Sequence, residues 1–203
     1  MNVPYLRTGR TNQKVRTRDA LIAAARRLLA EGVTPTIEAA AAEASVGRTT
    51  AYRYFPNSRA LLAATYPEIE ERSLLGRDPP EDPLRRLEIM AESFTRQILD
   101  HEPELRAQLR VALEGEPAGG ESLSLRRGRR IRWVEDALSP LEGRMPEGEL
   151  RHLVYGICAT LGIEVLVWLT DMGGLSREEA AEVMRSNART LLRSALDSLE
   201  SRE

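Results

Sequence analysis

Apolar residues recur at helical spacing along almost the whole chain, and no stretch alternates convincingly with the two-residue period of a strand. In the first such stretch Leu21, Ala24, Ala25, Leu28 and Leu29 stand at i, i+3, i+4, i+7 and i+8, and Gly32 follows as a stop. In the last, Met184, Ala188, Leu191, Leu192, Ala195 and Leu199 form the stripe expected to be buried. Aromatic residues make up only 4% of the chain, too few for a sandwich or barrel built on aromatic and β-branched side chains. The fold class expected is all-α, and 203 residues suffice for one domain or two small ones.

Between these stripes the boundaries are legible from caps and breakers. Thr36 caps a short helix over Ile37 to Ala44, the break Ser45-Val46-Gly47 follows, and a third helix covers Arg48 to Phe55. Asn57 caps the next helix, which holds Leu61 and Leu62. Asp82 with Pro83 at the first helical position starts a longer helix through Leu84, Leu87, Met90, Ala91, Phe94 and Ile98 to about Asp100. Pro103 opens another through Leu105, Leu109 and Leu113, closed by a loop from Gly115 to Glu121. A helix with Ile131, Val134, Ala137 and Leu138 stops near Pro140, and Ser176 with Glu179 is a capping box opening the last one.

The most apolar segment, Leu150 to Leu169, reads as one helix ended by Gly173 and Gly174. Its 17-residue run from Leu153 falls short of the roughly 20 residues a bilayer needs and contains Glu164. Burial in a dimer interface together with the last helix is the economical reading, and Gly156, Ala159 and Gly162 permit close approach there. No signal peptide opens the chain and Cys158 is its one cysteine, so a cytoplasmic protein without a disulfide framework is expected.

Charge is unevenly spread. The first 60 residues carry ten basic groups against four acids, a balance of +6; the rest carries 19 against 27, a balance of −8. The near-neutral total of −2 thus hides a basic end, either a solvated face or one that meets a polyanion. Residues 1 to 18 hold Arg7, Arg10, Lys14, Arg16 and Arg18 and no acid: a flexible arm, either a solubilising tail or a contact along phosphates or the minor groove.

The helix pair Ile37 to Ala44 and Arg48 to Phe55 has helix-turn-helix dimensions. The second helix adds chemistry: Arg48, Thr49, Thr50, Tyr52 and Arg53 all hydrogen-bond, while Ala51 and Phe55 supply the inward stripe. Arginine reads guanine bidentately, threonine offers a hydroxyl or methyl to bases, and tyrosine donates to phosphate.

The stretch TIEAAAAEASVGRTTAYRYFPNSRALLAA, above all Thr50-Ala51-Tyr52-Arg53-Tyr54-Phe55-Pro56 followed by Leu61 and Leu62, resembles the DNA-binding segment of the TetR/AcrR family of transcriptional regulators. With the preceding helix the resemblance covers about residues 16 to 65. It implies a three-helix domain over 19–62 and a larger helical ligand-binding and dimerisation domain over 63–203. It also implies a homodimer through the last two helices, double-stranded DNA with a palindromic operator as partner, and a small-molecule effector. A repressor fits the family's habit better than an activator.

By the same resemblance Arg48, Thr49, Thr50 and Tyr52 face the groove, Thr36, Tyr52 and Tyr54 reach phosphates, and Ala44, Val46 and Phe55 hold the motif's small core. The chain departs from the pattern at Ser45 (commonly glycine), Gly47 (commonly serine) and Ala40 (commonly larger, with Ile37 as compensation). Ser58 stands where a phosphate-binding lysine is frequent, with Arg59 beside it as substitute.

No motif transfers pocket residues. Candidates from the helix faces are Met90, Phe94, Leu109, Trp133, Tyr155 and Trp168. Glu164 is either an interface ion-pair partner or a ligand anchor. Catalysis is not expected. His101 and His152 lack metal-ligand spacing, Cys158 lies in an apolar helix, and Gly115, Gly119 and Gly120 form no phosphate loop, so no metal or cofactor is implied. The remaining rival is a helical small-molecule-binding protein without DNA activity.

Overall fold

The computed structural model describes residues 4–65, 73–113 and 128–202. The described residues form ten α-helices with one 3-10 turn and one π-helical turn, and no strand. The chain divides into two compact units, residues 1–68 with 103–125 and residues 69–102 with 126–203.

In the first unit α1 (Pro4–Ala30), α2 (Ile37–Glu43), α3 (Arg48–Tyr54) and α4 (Ser58–Thr65) enclose one small core. Leu21, Ile22, Ala24, Ala25, Ile37, Ala40, Ala41, Ala51, Phe55 and Leu61 are buried together, with Ala44 and Val46 packed against them. Ile37 and Ala40 are both buried in this core. Helix α1 ends where expected: Gly32 adopts φ +78° and Val33 N–H reaches back to Leu28 O at 2.8 Å. At its other end α1 starts at Pro4, so residues 4–18, expected as an arm, continue the helix. Proline suits the first helical turn, where its missing N–H has no intrahelical partner. The side chains of Arg7 and Arg10 lie outside the described ones. Helix α6 (Glu102–Leu113) returns to this unit, where Ala107 and Val111 bury Leu29 and Leu62.

In the second unit α5 (Pro83–Asp100), α7 (Arg129–Leu138), α8 (Glu147–Thr160) and α10 (Arg177–Glu200) form a ring, α5 and α8 each packing on both α7 and α10. Met90, Val134, Ala137, Leu138, Ile157, Met184 and Leu192 fill its centre. The caps fall as the sequence places them: Asp82 accepts from Leu84 and Arg85 N–H, and Ser176 and Glu179 form a reciprocal capping box. Arg86 is buried yet donates to the carbonyls of Pro80, Asp136 and Ala137 and to Ser139 Oγ, tying α5 to the end of α7. Glu102, also buried, takes both Nε (2.6 Å) and Nη2 (3.1 Å) of Arg177.

The apolar segment departs from expectation. Instead of one helix over Leu150 to Leu169, α8 stops at Thr160, Gly162 adopts φ +155°, and α9 (Ile163–Val167) runs into a π-helical turn over Trp168–Met172. Arg130 explains how the break is held: Nη1 donates to Cys158 O at 2.7 Å, to Leu161 O, and to Glu164 Oε1 at 2.5 Å. A cation thus satisfies the carbonyls that the break leaves over. Among the described residues no single helix is long and apolar enough to cross a membrane, and α8 with its continuation is bent by 44°. Leu191 also departs: it is 38% exposed, its Cδ1 lying over Gly156, while Met184, Ala188, Leu192 and Leu199 are buried. The expected loop from Gly115 to Glu121 lies outside the described residues.

Candidate nucleic-acid interface

The turn between α2 and α3 is set by local hydrogen bonds. Thr36 Oγ1 accepts from Ala39 N–H at 3.1 Å, which starts α2 and leaves the hydroxyl hydrogen to donate elsewhere. At the other end Val46 N–H bonds Ala41 O at 2.8 Å and Ser45 N–H bonds Ala42 O at 3.1 Å, the Schellman pattern. Such an ending requires a left-handed residue, and Ser45 supplies it at φ +54°. Gly47 is the N-cap of α3 and gives no side-chain bond. Asn57 Oδ1 accepts from Ala60 N–H at 2.8 Å and starts α4.

These constraints fix which face of α3 is free. Ala51 and Phe55 are buried against α1 and α2, and Arg48, Thr49, Thr50, Tyr52 and Arg53 are exposed. Tyr54 and Ser58 are half-buried, and Thr36 is exposed. An open groove of about 410 Å³ separates α3 from α1, lined by Gln13, Lys14, Thr17, Thr50, Arg53 and Tyr54. The helical extension of α1 therefore brings Lys14 alongside the exposed face of α3, an approach not readable from the sequence.

A second feature was also invisible in the sequence. Glu38, in the first turn of α2, accepts a hydrogen bond from the Tyr52 hydroxyl at 2.7 Å and pairs with Arg48 Nη2 at 2.9 Å. Arg48 in turn stands over the Tyr52 ring, 5.7 Å from its centroid. The hydrogen bond from Tyr52 and the Arg48 charge hold the Glu38 carboxyl below the usual range. The only hint in the sequence is an acid two residues after the cap of a helix in an otherwise basic segment.

The residues expected to meet a small molecule include both buried and exposed ones. Met90, Phe94 and Trp133 lie together in the interior of the second unit, Phe94 edge-on to Trp133 at 5.4 Å. Leu109 belongs to the first unit and is half-buried. Tyr155 and Trp168 are exposed. Glu164 has an ion-pair partner within its own chain, Arg130. Cys158 is buried, and its thiol is pushed up to about 11 by that burial, so thiolate chemistry near neutral pH is suppressed. Among the described residues no group of three or more His, Cys, Asp or Glu could hold a metal ion.

A short helix seated on a three-helix core by two inward residues, with arginines, threonines and a tyrosine outward, defines a helix-turn-helix DNA-binding domain. The sequence bears this out: residues 21–65 match the family of bacterial regulatory proteins of the tetR type. Residues 21–65 thus carry that family's N-terminal helix-turn-helix domain, a DNA-binding module. No curated protein matches the sequence.

Proposed function

We propose that the chain is a homodimeric repressor that binds a palindromic operator and leaves it when a small-molecule effector is bound. The observation that carries the reading is the outward face of α3, which offers five hydrogen-bonding side chains while the inward stripe is fully used by the core. Arg48, Thr49 and Thr50 read base edges; Tyr52, Arg53, Tyr54, Thr36 and Ser58 contact phosphates, with Lys14 reaching the backbone from α1. The DNA-binding domain is 19–62, and the regulatory and dimerising part is 63–203. The dimer forms through α8, its continuation and α10. Exposed Tyr155, Trp168, Met172 and Leu191 on those elements support it.

The effector would lodge in the second unit beside Met90, Phe94 and Trp133. Those side chains are packed together, so uptake must separate them, and a state with the ring pair opened differs from the packed one. Effector binding then shifts the population away from the conformation whose two recognition helices fit successive major grooves.

Selection of bound duplexes from a random DNA pool tests the reading. An enriched palindrome with half-sites about one helical turn apart is expected; no enrichment overturns DNA reading by α3. Repeated with Arg48→Ala, the selection returns the same palindrome with one position relaxed, whereas Tyr52→Phe weakens binding to all sequences alike.

A further inference from the structure

The residues assigned to DNA recognition on α3 are not idle in the free domain. Two of them, Arg48 and Tyr52, are held by one carboxylate, that of Glu38 on α2. Glu38 presents to them what a phosphate would present: an anionic oxygen that accepts both a tyrosine hydroxyl and a guanidinium. Its side chain is 43% exposed and that of Arg48 is 72% exposed, so the pair is wet and weak and a competing anion displaces it readily.

We propose that Glu38 is a specificity-determining residue: it occupies Arg48 and Tyr52 unless a correct site offers them more than a phosphate does. This inference rests on the reading of α3 as the recognition helix. On an arbitrary duplex, Arg48 and Tyr52 leave Glu38 only to exchange one anion for another, which gains little. On the operator, Arg48 exchanges it for a bidentate contact to a guanine edge, a geometry that Glu38 in its present position does not supply. The carboxylate itself, held in its charged form by Tyr52 and Arg48, stands near the phosphate contact assigned to Thr36 and repels a backbone in the wrong register. Freeing Arg48 and Tyr52 costs the same on any duplex that engages them; the difference that Glu38 makes between duplexes comes from the carboxylate's repulsion of a misregistered backbone, which the operator register avoids.

The test compares the palindromic duplex recovered by selection with a scrambled duplex of equal composition, each titrated over a range of salt. Glu38→Gln keeps an acceptor for the Tyr52 hydroxyl and removes only the charge. Affinity for both duplexes should rise because the free-state pair is gone, and for the scrambled duplex it should rise further, about fivefold in all, so the ratio between them falls. The plot of log K against log salt for the scrambled duplex should steepen by roughly 0.9, the signature of one more phosphate neutralised. Glu43→Gln is the control for bulk charge. Glu43 pairs with Arg27 of α1, away from the two α3 groups, and its loss should move both duplexes together. Thermal melts of both variants establish that they fold as the wild type does. If Glu38→Gln also moves both duplexes by the same factor, the inference fails while the DNA-binding reading stands. If the wild-type protein cannot tell operator from scrambled duplex, the reading of α3 fails and takes the inference with it.

Discussion

Ser45 sits at φ +54°, the left-handed conformation that closes α2 with the Val46 to Ala41 and Ser45 to Ala42 hydrogen bonds. For a residue with a Cβ this costs about 1–2 kcal/mol, whereas glycine adopts it freely but brings about 0.5–1 kcal/mol of extra backbone entropy to the unfolded chain. The first effect is larger. Ser45→Gly should therefore stabilise the DNA-binding unit by about 0.5–1 kcal/mol, read as a higher urea midpoint at unchanged slope. Ser45→Val, β-branched at a positive φ, should move the midpoint the other way. An unchanged midpoint in both variants would show that the turn carries no strain. The sequence exposes this position only as a departure from a glycine; the hydrogen bonds show why a glycine is wanted. Charged residues were less legible still, because Glu38 and Arg86 count as solvated charges until α2 and α3, or α5 and α7, are brought together.

Helix boundaries follow from local chemistry. Thr36, Asn57, Asp82 and Ser176 each cap the helix their position predicts, since a cap acts within three residues of itself. The end of α1 at Gly32 follows from the same locality. The break in the apolar segment does not. Leu161 and Gly162 interrupt a largely apolar run, and the interruption is stabilised by Arg130, some thirty positions away in sequence. Leu191 lies outside the buried stripe for a related reason: periodicity gives the apolar face of α10 but not the width of the neighbours that cover it. Gly162→Ala tests the break. An added Cβ would lie 2.5 Å from Glu164 Oε2 and 2.6 Å from Arg130 Nη1, at a φ that L-residues rarely adopt. The side-chain tips can retreat, but only by giving up the bonds that hold the break, and the backbone strain remains. The variant should lose about 1–3 kcal/mol, seen as a lower thermal midpoint, with no change in the intrinsic DNA affinity of the helix-turn-helix unit. Wild-type stability would mean that the break is not conformationally required.

For the whole molecule, a net charge of −2 is the sum of a basic end that meets DNA and an acidic remainder that would not cling to it. A recognition helix of seven residues reaches few base edges, and two-fold pairing doubles them. The proposed pairing puts Trp168, 59% exposed in the single chain, into the interface, while Trp133 is buried in either state at 2% exposure. The two tryptophans thus report separately. In a Trp133→Phe variant, the remaining emission should come from a dry environment at micromolar concentration and shift to the red on dilution as the dimer dissociates. Trp168→Glu should sediment as a monomer, keep its helical circular dichroism, and lose operator affinity together with the palindrome's cooperativity, because each half-site is then bound alone. Emission from Trp168 that is already solvent-like at high concentration would place the dimer contact elsewhere. A Trp168→Glu protein that sediments as a dimer would do the same, leaving the exposed residues Tyr155, Met172 and Leu191 without the role assigned to them.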